Sequence, residues 1–239
     1  MISWPVARAA AGEKVRSPPV VAIGLCFAAV GALRGGPEGG AETFSSFGLA
    51  FFTLLTLALG AGLLSDELDS GHAQLVLLRP LTRSSWLGGR LAGAGIALAA
   101  FIALAWAATA ATALARGHGF PAARLFTLPL ALLWGFSWLS VLAFLGAVLP
   151  GWTNAGALVL LGISWLFVQI TLPLVLKKPE WAAPLIAASS YLGPQEPLRM
   201  ARELKAGLGP ALYDLCWTFT PWLAAVFLFN RRELARRRS

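Results

Sequence analysis

The chain has 239 residues, of which 57% are hydrophobic and only 13% charged, with a formal net charge of +8. That balance excludes an ordinary soluble domain, in which about a quarter of residues are charged. A basic surplus in so apolar a chain reads as topology and attraction to anionic lipid headgroups rather than nucleic-acid binding.

Residues 1–16 mix Ile2, Trp4, Val6 and Val15 with Arg8, Lys14 and Arg16, which suits either a helix lying in the membrane interface or a plain basic tail. The first apolar run starts near Val20, and no small-x-small cleavage site precedes a soluble region, so it is expected to stay as a first span rather than be removed as a signal. At residues 20–33 it is short, and needs Ser17-Pro18-Pro19 or a tilt to reach across. Residues 43–65 and 91–115 carry no charge, and each is long enough to cross about 30 Å of hydrocarbon as a helix. The uncharged run 125–176 is too long for one crossing, and Pro150-Gly151-Trp152-Thr153-Asn154 divides it into two spans joined by a tight hairpin with a candidate N-cap.

The long connection 177–208 follows. Its uncharged stretch 181–195 is too short and too rich in Pro, Ser and Gly to span, and reads as an interfacial or re-entrant piece. Leu198, Ala201 and Leu204 then recur among charged residues as a short amphipathic helix. Residues 209–229 are apolar except for Asp214, whose carboxylate would cost roughly 2.5–3.5 kcal/mol at a span's centre and is therefore expected near the helix end, at the interface. Cys26 and Cys216 lie within spans without CxxC spacing and read as packing residues, and Trp residues near span ends read as interface anchors. The expectation is an all-α integral membrane protein of six transmembrane helices, one domain over 1–239.

Six spans put both termini on one side. Arg8, Lys14, Arg16, Arg79, Arg83, Arg90, Arg231, Arg232, Arg236, Arg237 and Arg238 fall on that side. Arg34, Arg116, Arg124, Lys177, Lys178, Arg199, Arg202 and Lys205 fall on the other, so the termini are expected in the cytoplasm. Catalytic equipment is sparse. His72 and His118 are the only imidazoles, there is no HExxH or GxxxxGK[ST] pattern, and Gly162-Ile163-Ser164 lacks the second Gly of a nucleophile elbow. No cofactor or metal site and no enzymatic activity are expected of this chain itself.

Between the second and third spans lies a charged island. Glu67-Leu68-Asp69-Ser70-Gly71-His72 is followed by Leu77-Leu78-Arg79-Pro80-Leu81-Thr82-Arg83 and then Gly89-Arg90. This series resembles the cytoplasmic loop of ABC-2 type transporter permeases, approximately E-x-E-S-G-T, L-L-x-x-P-[VL]-[ST]-R and G-K. His72 stands where Thr is usual, as a solvent-facing side chain or a group titrating near neutral pH, and Arg90 replaces Lys. Six spans, an elbow at 1–16, a long loop at 177–208 and the closing Phe229-Asn230-Arg231-Arg232-Glu233-Leu234 are similar to the family as well. Gly193-Pro194-Gln195-Glu196-Pro197-Leu198-Arg199 resembles the N-P-x-D-x-x-R element of permeases of the nitrous-oxide-reductase maturation and gliding-associated type, with Gly for Asn and Glu for Asp; its plain alternative is a helix-start turn.

The resemblance implies an ABC-2 permease fold in the plasma (inner) membrane of a prokaryote, paired with a second copy or a homologous permease and bound to cytoplasmic ABC ATPase subunits that carry ATP and Mg. The loop at 66–90 would couple the two. Leu75, Val76 and Leu78 would enter an apolar groove on the ATPase, or pack back on the chain's own spans. A short helix from about Gly71 to Leu78 would present them, Gly71, His72 and Pro80 count among the coupling residues, and Glu67, Asp69 and Arg83 set orientation at the rim. Ser137, Ser140, Ser164 and Gln169 are uncharged polar groups in spans four and five, available for helix-to-helix hydrogen bonds or for cargo. In the outer loop Glu196 and Arg199 could pair locally, or Arg199 and Arg202 could face an anionic cargo or partner. The functional expectation is the permease subunit of an exporter; the alternative is an ATPase-driven assembly factor acting on an extracytoplasmic partner.

Overall fold

The computed structural model describes residues 2–33, 46–63, 82–118, 127–149, 153–166, 184, 193–195, 199 and 208–236. Among them the protein is all-helical, with α1 (Trp4–Arg16), α2 (Pro18–Leu33), α3 (Ser46–Gly60), α4 (Arg83–Ala115), α5 (Thr127–Val148), α6 (Thr153–Leu166) and α7 (Gly209–Arg236). Three helical stretches are long and apolar enough to cross a membrane, Arg83–Ala115, Leu128–Val148 and Gly209–Arg231; a fourth crossing is counted if α1 and α2, bent by 74° at Ser17, form one span. The architecture is that of a multi-pass membrane protein.

Each of the six apolar runs in the sequence coincides with a helix from α2 to α7, but their lengths differ. At 1.5 Å per residue, the 16 residues of α2 and 15 of α3 rise about 24 and 22 Å, short of the hydrocarbon thickness. The helix α3 stops at a turn over 61–63 in which Gly62 takes φ +66°, a left-handed conformation that glycine adopts without a Cβ clash. The helix α4 starts earlier than its uncharged run. Thr82 caps it by accepting the Ser85 N–H at 3.3 Å, so Arg83 and Arg90 are helical rather than part of a loop.

At the centre stands α4, flanked by α1, α2 and α5. The approach of α1 is backbone on backbone. A Cβ on Gly89 would lie 2.9 Å from the Ser3 carbonyl oxygen, and one on Gly93 would lie 2.6 Å from both the Ala7 carbonyl oxygen and the Ala10 Cβ. Ala7 and Ala10 are buried in that seam, and the Ser3 N–H donates to Ser85 O at 3.2 Å. Beyond it, Phe27 meets Phe52 edge-on at 5.8 Å and Phe52 stacks on Trp134 at 4.8 Å, joining α2, α3 and α5. Trp134 and Trp86 are both buried core residues. Cys26 and Cys216 are displaced from expectation. Both are exposed on the outer faces of α2 and α7, where a small apolar thiol is as compatible with lipid as with a core.

The seam between α1 and α4 is sensitive to volume. Gly93→Val should lower the stability of the purified protein by about 1–3 kcal/mol through overpacking. Gly12→Ala, where a Cβ meets nothing within 4 Å, should be neutral or stabilising by up to about 1 kcal/mol. Thermal unfolding in one detergent, followed by near-ultraviolet circular dichroism, checks the contrast.

Candidate functional site

The candidate site is the platform from which the 64–81 segment leaves and returns. At its first root, α3 closes in a turn in which the Leu63 N–H donates to Gly60 O at 3.3 Å, and side chains from other helices add to its last carbonyls. Lys14 Nζ donates to Ala61 O at 3.3 Å, and Asn154 Nδ2 donates to Gly60 O at 3.4 Å and to Leu142 O at 3.3 Å. Asn154 Oδ1 accepts the Ala155 N–H at 2.7 Å, so a residue at the start of α6 also ties the end of α3 to the last third of α5. At the second root, Arg90 Nη1 donates to Glu13 Oε2 at 2.8 Å; the arginine side chain is 7% exposed and the glutamate 59%. Adjacent residues of α1 therefore reach both roots.

Both chain ends meet the same platform. Trp86, near the start of α4, stacks on Phe229 of α7 at 5.8 Å, in a cluster with Leu87, Ala147 and Ala225. One helical turn before Arg231, Phe227 offers its ring to that guanidinium, 4.3 Å from the centroid. Among the coupling residues read from the sequence, Arg83 is the first residue of α4 and half-buried. Glu67, Asp69, Gly71, His72, Leu75, Val76, Leu78 and Pro80 lie outside the described residues.

The opposite end of the bundle holds a second polar group. The helices α5 and α7 run parallel there. Ser137 Oγ lies 3.0 Å from Leu133 O, 3.0 Å from Asp214 O and 2.8 Å from Thr218 Oγ1, joining the two helices through its hydroxyl. Asp214 sits near the start of α7 as expected, and it is fully buried. Gly193, Pro194 and Gln195 cover it: Gln195 N donates to Asp214 Oδ1 at 2.8 Å, Trp134 Nε1 to Pro194 O at 3.3 Å, and the Tyr213 hydroxyl to Gly193 O at 3.1 Å.

Of the candidate cargo residues, Ser137 and Ser140 are buried on α5, and Ser164 is exposed on α6. Ser137 and Ser164 are not brought together by any contact described. Gln169 lies outside the described residues, as do Glu196 and Arg202; Arg199 is half-buried, and its pairing with Glu196 is likewise outside them. Among the described residues, no group of three or more His, Cys, Asp or Glu side chains is placed to hold a metal ion. Sequence reasoning missed Glu13, Lys14 and Gln195. For Asn154, the turn and capping signal marked the position but not its bonds to α3 and α5.

Compared with known proteins, the chain matches no family model and no curated protein sequence.

Asn154 gives the platform a direct test. Asn154→Leu strips the side-chain donors from two buried carbonyls and should cost about 1–3 kcal/mol, with the loss read as a lower midpoint of thermal unfolding. Ser164→Ala, at an exposed position on the same helix, should change that midpoint by less than about 0.5 kcal/mol.

Proposed function

We propose that the chain is the membrane-spanning permease subunit of an ATP-driven ABC-2 type exporter. The observation that carries the reading is that one N-terminal helix holds both roots of the charged island, Lys14 at Ala61 and Glu13 at Arg90. A push on a loop moves the spans only if its roots are stiffly attached to them. Here the roots belong to separate helices, α3 and α4, and both are tied to α1, so a force on the island enters the bundle through one rigid element.

In this reading the six apolar runs of the sequence each cross the membrane, the shorter ones with a tilt or local thinning of the bilayer, and both termini lie in the cytoplasm. The island, 66–90, docks on a separate ABC ATPase subunit that binds ATP and Mg. Leu75, Val76 and Leu78 enter an apolar groove, with Glu67, Asp69 and Arg83 at its rim. A second permease copy or a homologous permease completes the transmembrane unit. The plasma membrane of a prokaryote is its place, and the loop 177–208 faces outward.

Two measurements test this. Ser70→Cys should react with a maleimide that reaches the cytoplasm and stay unlabelled by an impermeant reagent added outside sealed cells; outside labelling would reverse the topology. Leu75→Asp with Val76→Asp should abolish co-purification of an ATPase bearing a phosphate loop from native membranes, because a carboxylate forced into an apolar contact loses hydration without a partner. Leu130→Ala, a core truncation on α5, should retain the ATPase. Wild-type yield of ATPase with both aspartates present removes the docking assignment.

A further inference from the structure

The covering of Asp214 is built rather than incidental. Non-helical backbone at membrane depth persists only where its polar groups find partners in protein. Pro194 brings no N–H, the Gly193 and Pro194 carbonyls each accept from an aromatic side chain, and the Gln195 N–H is taken by a carboxylate oxygen. The ring of Trp138 lies under Gly193, where a Cβ would come within 3.7 Å of it. All three bonds run to side chains of α5 and α7, so the segment is seated on the two helices without belonging to either.

The seating is also incomplete. Asp214 Oδ2, Gln195 Oε1, Trp138 Nε1 and Ser140 Oγ are buried with no hydrogen-bond partner. These atoms belong to the elements that meet here: α5, α7 and the covering segment. Burying an unsatisfied polar atom is unfavourable, and a carboxylate oxygen is among the costliest. Lifting the segment would hydrate the Asp214 and Gln195 oxygens, so the cost of breaking three hydrogen bonds is offset by groups that gain water.

We infer that Gly193, Pro194 and Gln195 form a latch over the polar seam between α5 and α7, with Asp214 as its catch, and that the latch opens reversibly while the helices stay packed. Opening uncovers Asp214, whose backbone carbonyl Ser137 and Thr218 already bond across the two parallel helices. The latch itself does not depend on the transporter reading; only its assignment to the outer face does.

The experiment uses the full chain in lipid nanodiscs. Gln195→Cys keeps the backbone N–H and is made in a Cys26→Ser, Cys216→Ser background, because both native thiols are exposed. Leu208→Cys, at a 72% exposed position, is the open reference. Gln195→Cys should react with a charged maleimide at least about tenfold more slowly than Leu208→Cys, and about tenfold faster again once Asp214→Ala removes the acceptor, the factor expected for losing a hydrogen bond to a charged group. Asp214→Asn keeps an acceptor and should stay slow, while Trp134→Phe keeps the ring and loses one bond, giving an increase of several-fold.

Protection that neither Asp214→Ala nor Trp134→Phe changes makes the segment a fixed plug and overturns the inference, as does an unaltered Gln195→Cys reacting as fast as the reference. If Asp214→Ala does not fold, amide hydrogen exchange on the unmodified protein decides. Exchange at Gln195 much faster than at core amides such as Leu98 supports local opening, and exchange only together with them overturns it. In sealed vesicles, access to Gln195→Cys solely from the side of the 64–81 segment would count for the latch and against the proposed orientation.

Discussion

The rest of the structure depends on the contact between α1 and α4, in which two helix backbones come close enough to leave room for glycine on the α4 side. Gly89 and Gly93 make room for the Ser3 and Ala7 carbonyls, and Ala7 and Ala10 add little volume of their own. Because α1 turns back by 74° at Ser17 instead of continuing α2, it lies across the entry of α4. Its charged residues Glu13 and Lys14 are thereby delivered to Arg90 and Ala61. A bulkier residue at Gly93 would move both ties at once.

Elsewhere the organising rule is that polar backbone cannot be left bare where water is scarce. The end of α3 is served by a lysine from α1 and an amide from α6. The start of α4 is served by Thr82. The non-helical stretch at 193–195 is served by an indole, a phenol and a carboxylate. At the end of α3 and at 193–195 residues distant in sequence complete what the local chain cannot and fix one element relative to another, whereas Thr82 completes the start of its own helix.

Much of the fold was legible because an uncharged run has one stable solution in a membrane, a helix. The uncharged run 125–176 does hold two helices, α5 ending at Val148 and α6 starting at Thr153, on either side of the turn signal. Boundaries were less legible. Arg83 and Arg90 looked like loop residues because charge was taken as a mark of solvent, whereas a long arginine side chain can join a helix and reach back to Glu13 on its neighbour. Asp214 was correctly placed near a helix start, yet its burial depended on a segment 19 residues away that only folding brings over it. The same applies to the platform. Lys14 read as a tail charge and Glu13 was passed over, since their partners lie 47 and 77 residues away. The island's chemistry was readable by resemblance, whereas the ties that make its roots stiff were not readable at all.

The character of α7 has a consequence for how the molecule is made. It carries a carboxylate at Asp214 and a proline at Pro221, which withdraws one N–H from the helix interior. As a free-standing segment leaving the ribosome it would partition poorly into lipid, because an isolated carboxylate has nothing there to accept from. Its stabilising neighbours, Ser137 on α5 and the Gln195 amide, are synthesised earlier and must already be in place. The last helix is accordingly settled by its predecessors rather than by its own hydrophobicity. Mutations in α5 that leave the chain's apolar pattern untouched can therefore act first on biogenesis, as failure of the C-terminal segment to integrate, before any mature protein exists to be inactive.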